Sequence, residues 1–206
     1  MPIPIIVKSV RGLNLKSTMK ANFVSKFIHR IMMRKARIVW KHIGRHMTGK
    51  KVLDVGMGSG SFSYFLNKKG LDVQSVDVAS LSIYDDLKPV IYDGHTLPFK
   101  DNEFDTAVII HVLHHCSDGL RVLEEAKRCS KRVIFIEDTY RNKLEWFVIA
   151  SFDSITNFEF WWHKYRSIHE WKKIIKDRGW KVMAFDQWSE GGITSPFGRY
   201  CMFVIE

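Results

Sequence analysis

Three short stretches carry side chains that could do chemistry. In Asp54-Val55-Gly56-Met57-Gly58-Ser59-Gly60, glycines alternate behind a carboxylate and a short apolar run. Such glycines permit a tight turn and leave bare main chain for a ligand, while the first N–H groups of a following helix attract an anionic group. No Gly-Lys-Ser/Thr follows, so a Walker phosphate loop is excluded. Ser61 also stands where the dinucleotide fingerprint wants a third Gly or Ala. Next come Asp77 and Asp93-Gly94, each ending an apolar run. The two acceptor oxygens of Asp77 suit both hydroxyls of a ribose, and Asp93 can take an adenine amino group. The third stretch is Ile110-His111-Val112-Leu113-His114-His115. An imidazole titrates near neutral pH, so His114 or His115 could act as a general base. Adjacent residues of a turning segment point in opposite directions, so only one of the two should face a site. Ile110 and His111 would line the ligand. A metal fits poorly, because His114 and His115 are adjacent and no Cys or Glu completes a facial set.

A fourth group belongs to a substrate rather than a cofactor. Glu137 and Asp138 end another apolar run, and six of the seven tryptophans fall between Trp146 and Trp188. Ligand pockets are mostly apolar with few polar groups. Glu137, Tyr140, Trp146, Trp161 and Trp162 are therefore the candidate substrate contacts, with residues 141–166 as an aromatic lid.

The elements that must position these residues alternate between two periods. Val52–Val55, Val73–Val76, Val90–Tyr92, Thr106–Ile110 and Arg132–Ile136 have the length and composition of buried strands. Asp118–Ser130 and Ser167–Arg178 have helical spacing. This alternation predicts βαβ units and a mostly parallel, doubly wound α/β sheet. In such a sheet ligands bind at the carboxyl ends of strands, where all the candidates above fall. Two final strands, Trp180–Phe185 and Tyr200–Ile205, flank a glycine-containing loop from Gly191 to Gly198. Residues 1–50 form a basic, helical amino-terminal extension, with Phe23, Phe27, Ile28, Ile31, Met32, Ala36, Val39, Trp40, Ile43 and Met47 at threes and fours. Residues 51–206 form the ligand-binding domain.

The net charge of +10 is unevenly placed. Residues 1–51 hold thirteen Lys and Arg and no acid, while the remaining 155 hold nineteen basic and twenty-two acidic side chains. The body is thus nearly neutral, and the overall charge reports on the front segment alone. Such a segment suits peripheral contact with an anionic membrane or RNA, and no DNA sequence readout is expected. Three unpaired-looking cysteines, no secretory signal and no long apolar run point to a cytoplasmic protein, peripheral at most to a membrane.

Val52 through Gly60, Asp77, Asp93-Gly94-His95-Thr96-Leu97-Pro98-Phe99 with Phe104-Asp105, and Val112-Leu113-His114-His115 together resemble the class I S-adenosylmethionine-dependent methyltransferases. With Tyr165-Arg166-Ser167, Glu170-Trp171 and Gly179-Trp180 they are similar to the type 11 branch. The resemblance spans roughly residues 37–206. It implies a seven-stranded Rossmann-like sheet whose last strand is antiparallel. It also implies S-adenosylmethionine as cofactor, S-adenosylhomocysteine as product, and no metal. Asp54, Gly56, Gly58 and Gly60 would surround the methionine moiety, Asp77 the ribose, and Asp93-Gly94 the adenine. Two departures stand out: Met57 in the loop, and Cys129-Ser130-Lys131-Arg132 where a Lys-Pro-Gly-Gly turn is usual. The expected activity is in-line methyl transfer to a small or lipid-like acceptor. An RNA or protein methyltransferase using the basic segment is the first alternative; Ile110-His111-Val112-Leu113 lacks the Asn/Asp-Pro-Pro-aromatic pattern of amino-group methylation. A non-catalytic cofactor-binding subunit is the second.

Overall fold

The computed structural model describes residues 23–157, 164–192 and 195–206; Trp161, Trp162 and the beginning of the expected basic helix lie outside them. Helix α1 (Phe23–Ile43) leads through a short 3-10 turn into β1 (Lys51–Val55), α2 (Ser61–Lys68), β2 (Asp72–Asp77), β3 (Val90–Ile91) and β4 (Phe104–Ile110). Then follow α3 (Gly119–Cys129), β5 (Ser130–Asp138), α4 (Lys143–Asn157), α5 (Ile168–Asp177), β6 (Val182–Gly192) and β7 (Ser195–Ile205). The seven strands form one sheet in the order β3-β2-β1-β4-β5-β7-β6. Strands β1 to β5 pair in parallel, and β7 runs antiparallel to both β5 and β6.

Side-chain alternation gives the sheet two apolar faces. Ala107 and Ile109 of β4 pack with Leu53, Phe135, Phe203 and the α3 and α5 residues Val122, Leu123, Trp171 and Ile175. Val108, between them, packs with Val52, Ile134, Met202, Phe65 and Leu66 of α2, and Ala36 and Ile43 of α1. Each large apolar side chain among these contributes about 1.5–3 kcal/mol, and each alanine less. The basic helix is therefore an integral cover of one face. His42 near its end pairs with Asp186 at 3.1 Å and stacks on Trp188 at 3.7 Å between ring centroids.

Local chemistry ends the helices where the sheet needs them. Asp118 caps α3 by accepting from Arg121 N, and Ser167 with Glu170 forms a capping box on α5. Helix α3 passes directly into β5 at Ser130, which leaves no place for the Lys-Pro-Gly-Gly turn. The expected loop from Gly191 to Gly198 is largely absent. The β6–β7 ladder continues to a Gly192–Ser195 pair, helped by a cross-strand Trp188–Tyr200 contact at 5.7 Å.

The strand order decides where a ligand goes. Chain progression runs outward from β1 to β2 and β3 on one side, and from β4 to β5 on the other, so the carboxyl ends of β1 and β4 bound the switch-point crevice. Gly56 follows β1 and His111 follows β4.

Candidate active site

The β1 end of the crevice is built from backbone. Gly56 N and Met57 N both donate to Val76 O, at 2.8 and 3.3 Å, tying the loop to β2. Gly56 has φ +77, and a Cβ there would lie 2.4 Å from Val112 in the turn after β4, so only glycine lets the two strand ends close together. Gly58, at φ +53, is the opposite case: nothing lies within 4 Å of where its Cβ would be. Bare main chain thus faces open space at the middle of the loop.

Three carboxylates serve this end. Asp77 is buried; its Oδ2 accepts from Gly58 N at 2.8 Å and its Oδ1 from Ala79 N at 3.3 Å. Burial raises its pKa above the ordinary carboxylate value, and those N–H bonds oppose the shift. Each oxygen retains a lone pair for a further donor. Exposed Asp93 accepts from His95 N and Thr96 N, both at 2.8 Å and both on Oδ1. Among the described residues Oδ2 accepts nothing, and it is turned by that double anchor. The loop that carries Asp93 and Gly94 is fixed in turn by α3: Leu97 N donates to Glu125 at 3.0 Å, and Arg128 donates to Leu97 O and Phe99 O at 3.0 and 2.9 Å. Asp54 lies beneath the loop, wholly buried, and accepts from Ser63 Oγ of α2. Burial pushes its pKa up to about 6, with Ser63 opposing and Asp77 adding to the rise.

The β4 end is built from side-chain pairs. Glu137, 1% exposed, accepts from Val112 N and Leu113 N at 3.0 and 2.8 Å on Oε1 and contacts His114 Nδ1 at 2.6 Å through Oε2. His114 is 4% exposed and its ring stacks 4.9 Å from Tyr165. Burial disfavours the Glu137 carboxylate, yet His114, with His111 and the Leu113 N–H, outweighs it and holds its pKa below the ordinary value. Next to this pair, His111 Nδ1 lies 2.8 Å from Asp138 Oδ2, with 35% of the imidazole side chain exposed and its ring edge-on to Tyr200 at 5.1 Å. Its backbone is left-handed, at φ +55, an arrangement that a non-glycine residue adopts at some strain. Burial works against a charged His111 and His114 repels it, but Asp138 and Glu137 prevail and its pKa is raised. Burial likewise opposes the charge on Asp138, and His111, with His114 and His115, overcomes it and lowers its pKa.

The candidates therefore separate. Gly56, Gly58, Gly60, Asp77, Asp93 and Gly94 gather along the β1–β3 ends, with Asp54 as their support. His111 follows β4 at the other side of the crevice, while Ile110 ends that strand and packs against the apolar face covered by α1 and α2. Of the two expected base candidates, His114 is withdrawn by burial and its bond to Glu137. His115 is half-buried, 4.1 Å from the His114 ring. Glu137 does not reach outward as a substrate contact, because its oxygens hold the turn behind the site. Tyr140 donates to Glu170 at 3.1 Å, and half-buried Trp146 lies in α4 beyond β5. The sequence reading missed the His111–Asp138 pair. A signal for it existed, since parallel β4 and β5 bring Ile110 opposite Ile136 and so bring the following residues together.

A methyltransferase domain family model, type 11, matches residues 53–133. A ubiquinone biosynthesis O-methyltransferase of Paraburkholderia phymatum is 32% identical over 106 residues, covering 46% of each chain. A demethylmenaquinone methyltransferase of Thermotoga maritima is 34% identical over 92 residues, covering 40% of each. The chain thus matches less than half the length of these relatives. Among solved structures, the magnesium protoporphyrin IX methyltransferase of Synechocystis PCC 6803 with bound S-adenosylhomocysteine superposes with a TM-score of 0.60 at 19% identity. That match covers 89% of this chain and 87% of the other, a likeness of fold.

Proposed function

We propose that the chain is a class I methyltransferase of the type 11 family, whose domain model it matches over residues 53–133, and that it methylates a small or lipid-like acceptor with S-adenosylmethionine. The observation that carries the proposal is the open main chain at Gly58, with Asp77 bonded to its N–H and Asp93 beyond. These residues fit the cofactor: Gly56 to Gly60 would lie against the methionine moiety, Asp77 would accept from the ribose hydroxyls, and Asp93 Oδ2 from the adenine amino group. The cofactor supplies an electrophilic methyl on a sulfonium, and the product is S-adenosylhomocysteine. Positioning accounts for most of what the chain must add. Where the acceptor is a hydroxyl, thiol or acidic carbon, His111 takes its proton at Nε2 while Asp138 orients the ring and stabilises the imidazolium. The quinone-biosynthesis names of the relatives support a small, ring-bearing acceptor.

Calorimetry tests the reading. S-adenosylmethionine and its demethylated product should both bind, and Asp77→Ala should weaken each by tenfold to a hundredfold, the scale of about 1.5–3 kcal/mol for a hydrogen bond to a charged group. Undiminished affinity in Asp77→Ala would remove the ribose from this carboxylate. No binding to the unaltered protein would end the proposal.

A further inference from the structure

The methyltransferase reading uses one end of the sheet and leaves the outer surface of α1 unexplained. Arg30, Arg34, Arg37 and Lys41 recur four, three and four residues apart, so they share one face of the helix, and all four are exposed. The stripe runs roughly 16 Å at the 1.5 Å rise of a helix. Ala36 and Ile43, on the other side, are buried against the sheet. No acidic residue occurs before Asp54 to neutralise the stripe. Among the described residues none of the four forms an ion pair; the carboxylate that does reach α1, Asp186, is held by His42.

We infer that this stripe is a docking surface for an anionic lipid bilayer. The apolar face of α1 is committed to the sheet, so the helix cannot insert in the manner of a free amphipathic helix. Its adhesion is electrostatic and is weakened by salt. A single-stranded nucleic acid is the poorer fit, because such ligands want exposed rings on which bases stack. Over residues 29–43, the part of α1 whose side chains the structure describes, no aromatic ring is exposed: His29, Trp40 and His42 are half-buried, Trp40 beneath Lys69. Exposed apolar side chains do stand at the carboxyl end of the sheet, Leu144 and Phe147, three residues apart on α4. The amino-terminal half of α1 reaches that same end, where His29 Nδ1 lies 3.1 Å from Tyr84 OH, and the Tyr84 ring is 3.3 Å from where a Gly60 Cβ would sit. The inference does not depend on the methyltransferase reading.

Co-sedimentation with vesicles of phosphatidylcholine alone, and of phosphatidylcholine with phosphatidylglycerol, tests it at low and near-physiological salt. The full chain should bind the anionic vesicles and leave the neutral ones, with affinity falling as salt rises. The variant Arg30→Gln/Arg34→Gln/Arg37→Gln/Lys41→Gln should lose about tenfold or more of that affinity. Replacing the three arginines by lysine should keep it, which separates charge from any disturbance of folding. Calorimetry on the Gln variant should give unaltered S-adenosylmethionine affinity, so failure of docking and failure of the cofactor site are read separately. Three results would overturn the inference: no anionic preference, a Gln variant that binds vesicles as before, or loss of polyuridylate binding in that variant with vesicle binding retained.

Discussion

The two ends of the crevice handle negative charge differently. At β1–β3, Asp77 and Asp93 accept from backbone N–H groups, and Asp54 from a hydroxyl. At β4–β5, Glu137 and Asp138 each grip an imidazole, 23 and 27 residues away in sequence. A carboxylate held by N–H groups keeps its charge and spare lone pairs, so it is suited to receive hydroxyl or amino donors from a ligand. A carboxylate facing an imidazole fixes the ring and raises its affinity for a proton. On the proposed function, one end holds the ligand and the other moves a proton.

The largest expected effect would break the second end structurally. Glu137→Ala strands the N–H groups of Val112 and Leu113 and takes the carboxylate away from buried His114, which should cost about 3–5 kcal/mol. Urea melts measure it, and Glu137→Gln, which keeps an acceptor oxygen for both N–H groups, should recover part of the loss. The folded-state pKa of Glu137 is depressed, so its contribution is present above the unfolded value and disappears as pH falls through the folded one. A Glu137→Ala protein as stable as the unaltered one at neutral pH would mean that this acid holds nothing.

The next effect concerns the proton. His111→Ala should lower turnover by about a hundredfold or more, near 3 kcal/mol of barrier, with S-adenosylmethionine affinity intact. Only neutral His111 can accept a proton, and its pKa lies above the ordinary histidine value. Turnover should therefore rise with pH through a limb on the alkaline side of 6.5. Asp138→Asn removes the main stabiliser of the imidazolium and leaves Glu137 alone against burial and His114, so the limb should move to lower pH whatever happens to the maximal rate. An unmoved limb separates His111 from catalysis and leaves positioning alone.

These two ends also differed in how far the sequence disclosed them. The glycine loop and its acids were legible because their spacing is written in the chain itself: alternating glycines directly after a strand, and acids at strand ends, with Asp93 bonded to its neighbours His95 and Thr96. The sheet was legible for a related reason, since apolar runs and caps such as Asp118 and Ser167 act locally. The proton-moving pair was not, because Asp138 meets His111 only after β5 is laid beside β4. His114 misled for the same reason; its burial depends on Glu137 and Tyr165 arriving from distant elements. The β6–β7 hairpin was cut short because its glycines resemble a loop until cross-strand partners extend the ladder.

The smallest effect sharpens the holding end at its outermost residue. If Asp93 Oδ2 receives the adenine amino group, the cofactor analogue with a hypoxanthine base should bind several-fold more weakly, because that base offers no amino donor to the carboxylate. The discrimination should be modest, since Asp93 is exposed and water competes for the same oxygen. It should also be insensitive to pH. The N–H groups of Thr96 and His95 hold the Asp93 pKa below its ordinary value, so the acceptor stays ionised throughout the neutral and mildly acidic range. Comparing both ligands by calorimetry at pH 5 and pH 8 separates this from a protonation effect elsewhere in the crevice. A ratio that changes between the two would assign the selectivity to a group that titrates in that window, and equal affinities would detach the adenine from Asp93. Substituting Asp93 itself is the weaker experiment, because the change would also release the turn that its Oδ1 holds at His95 and Thr96.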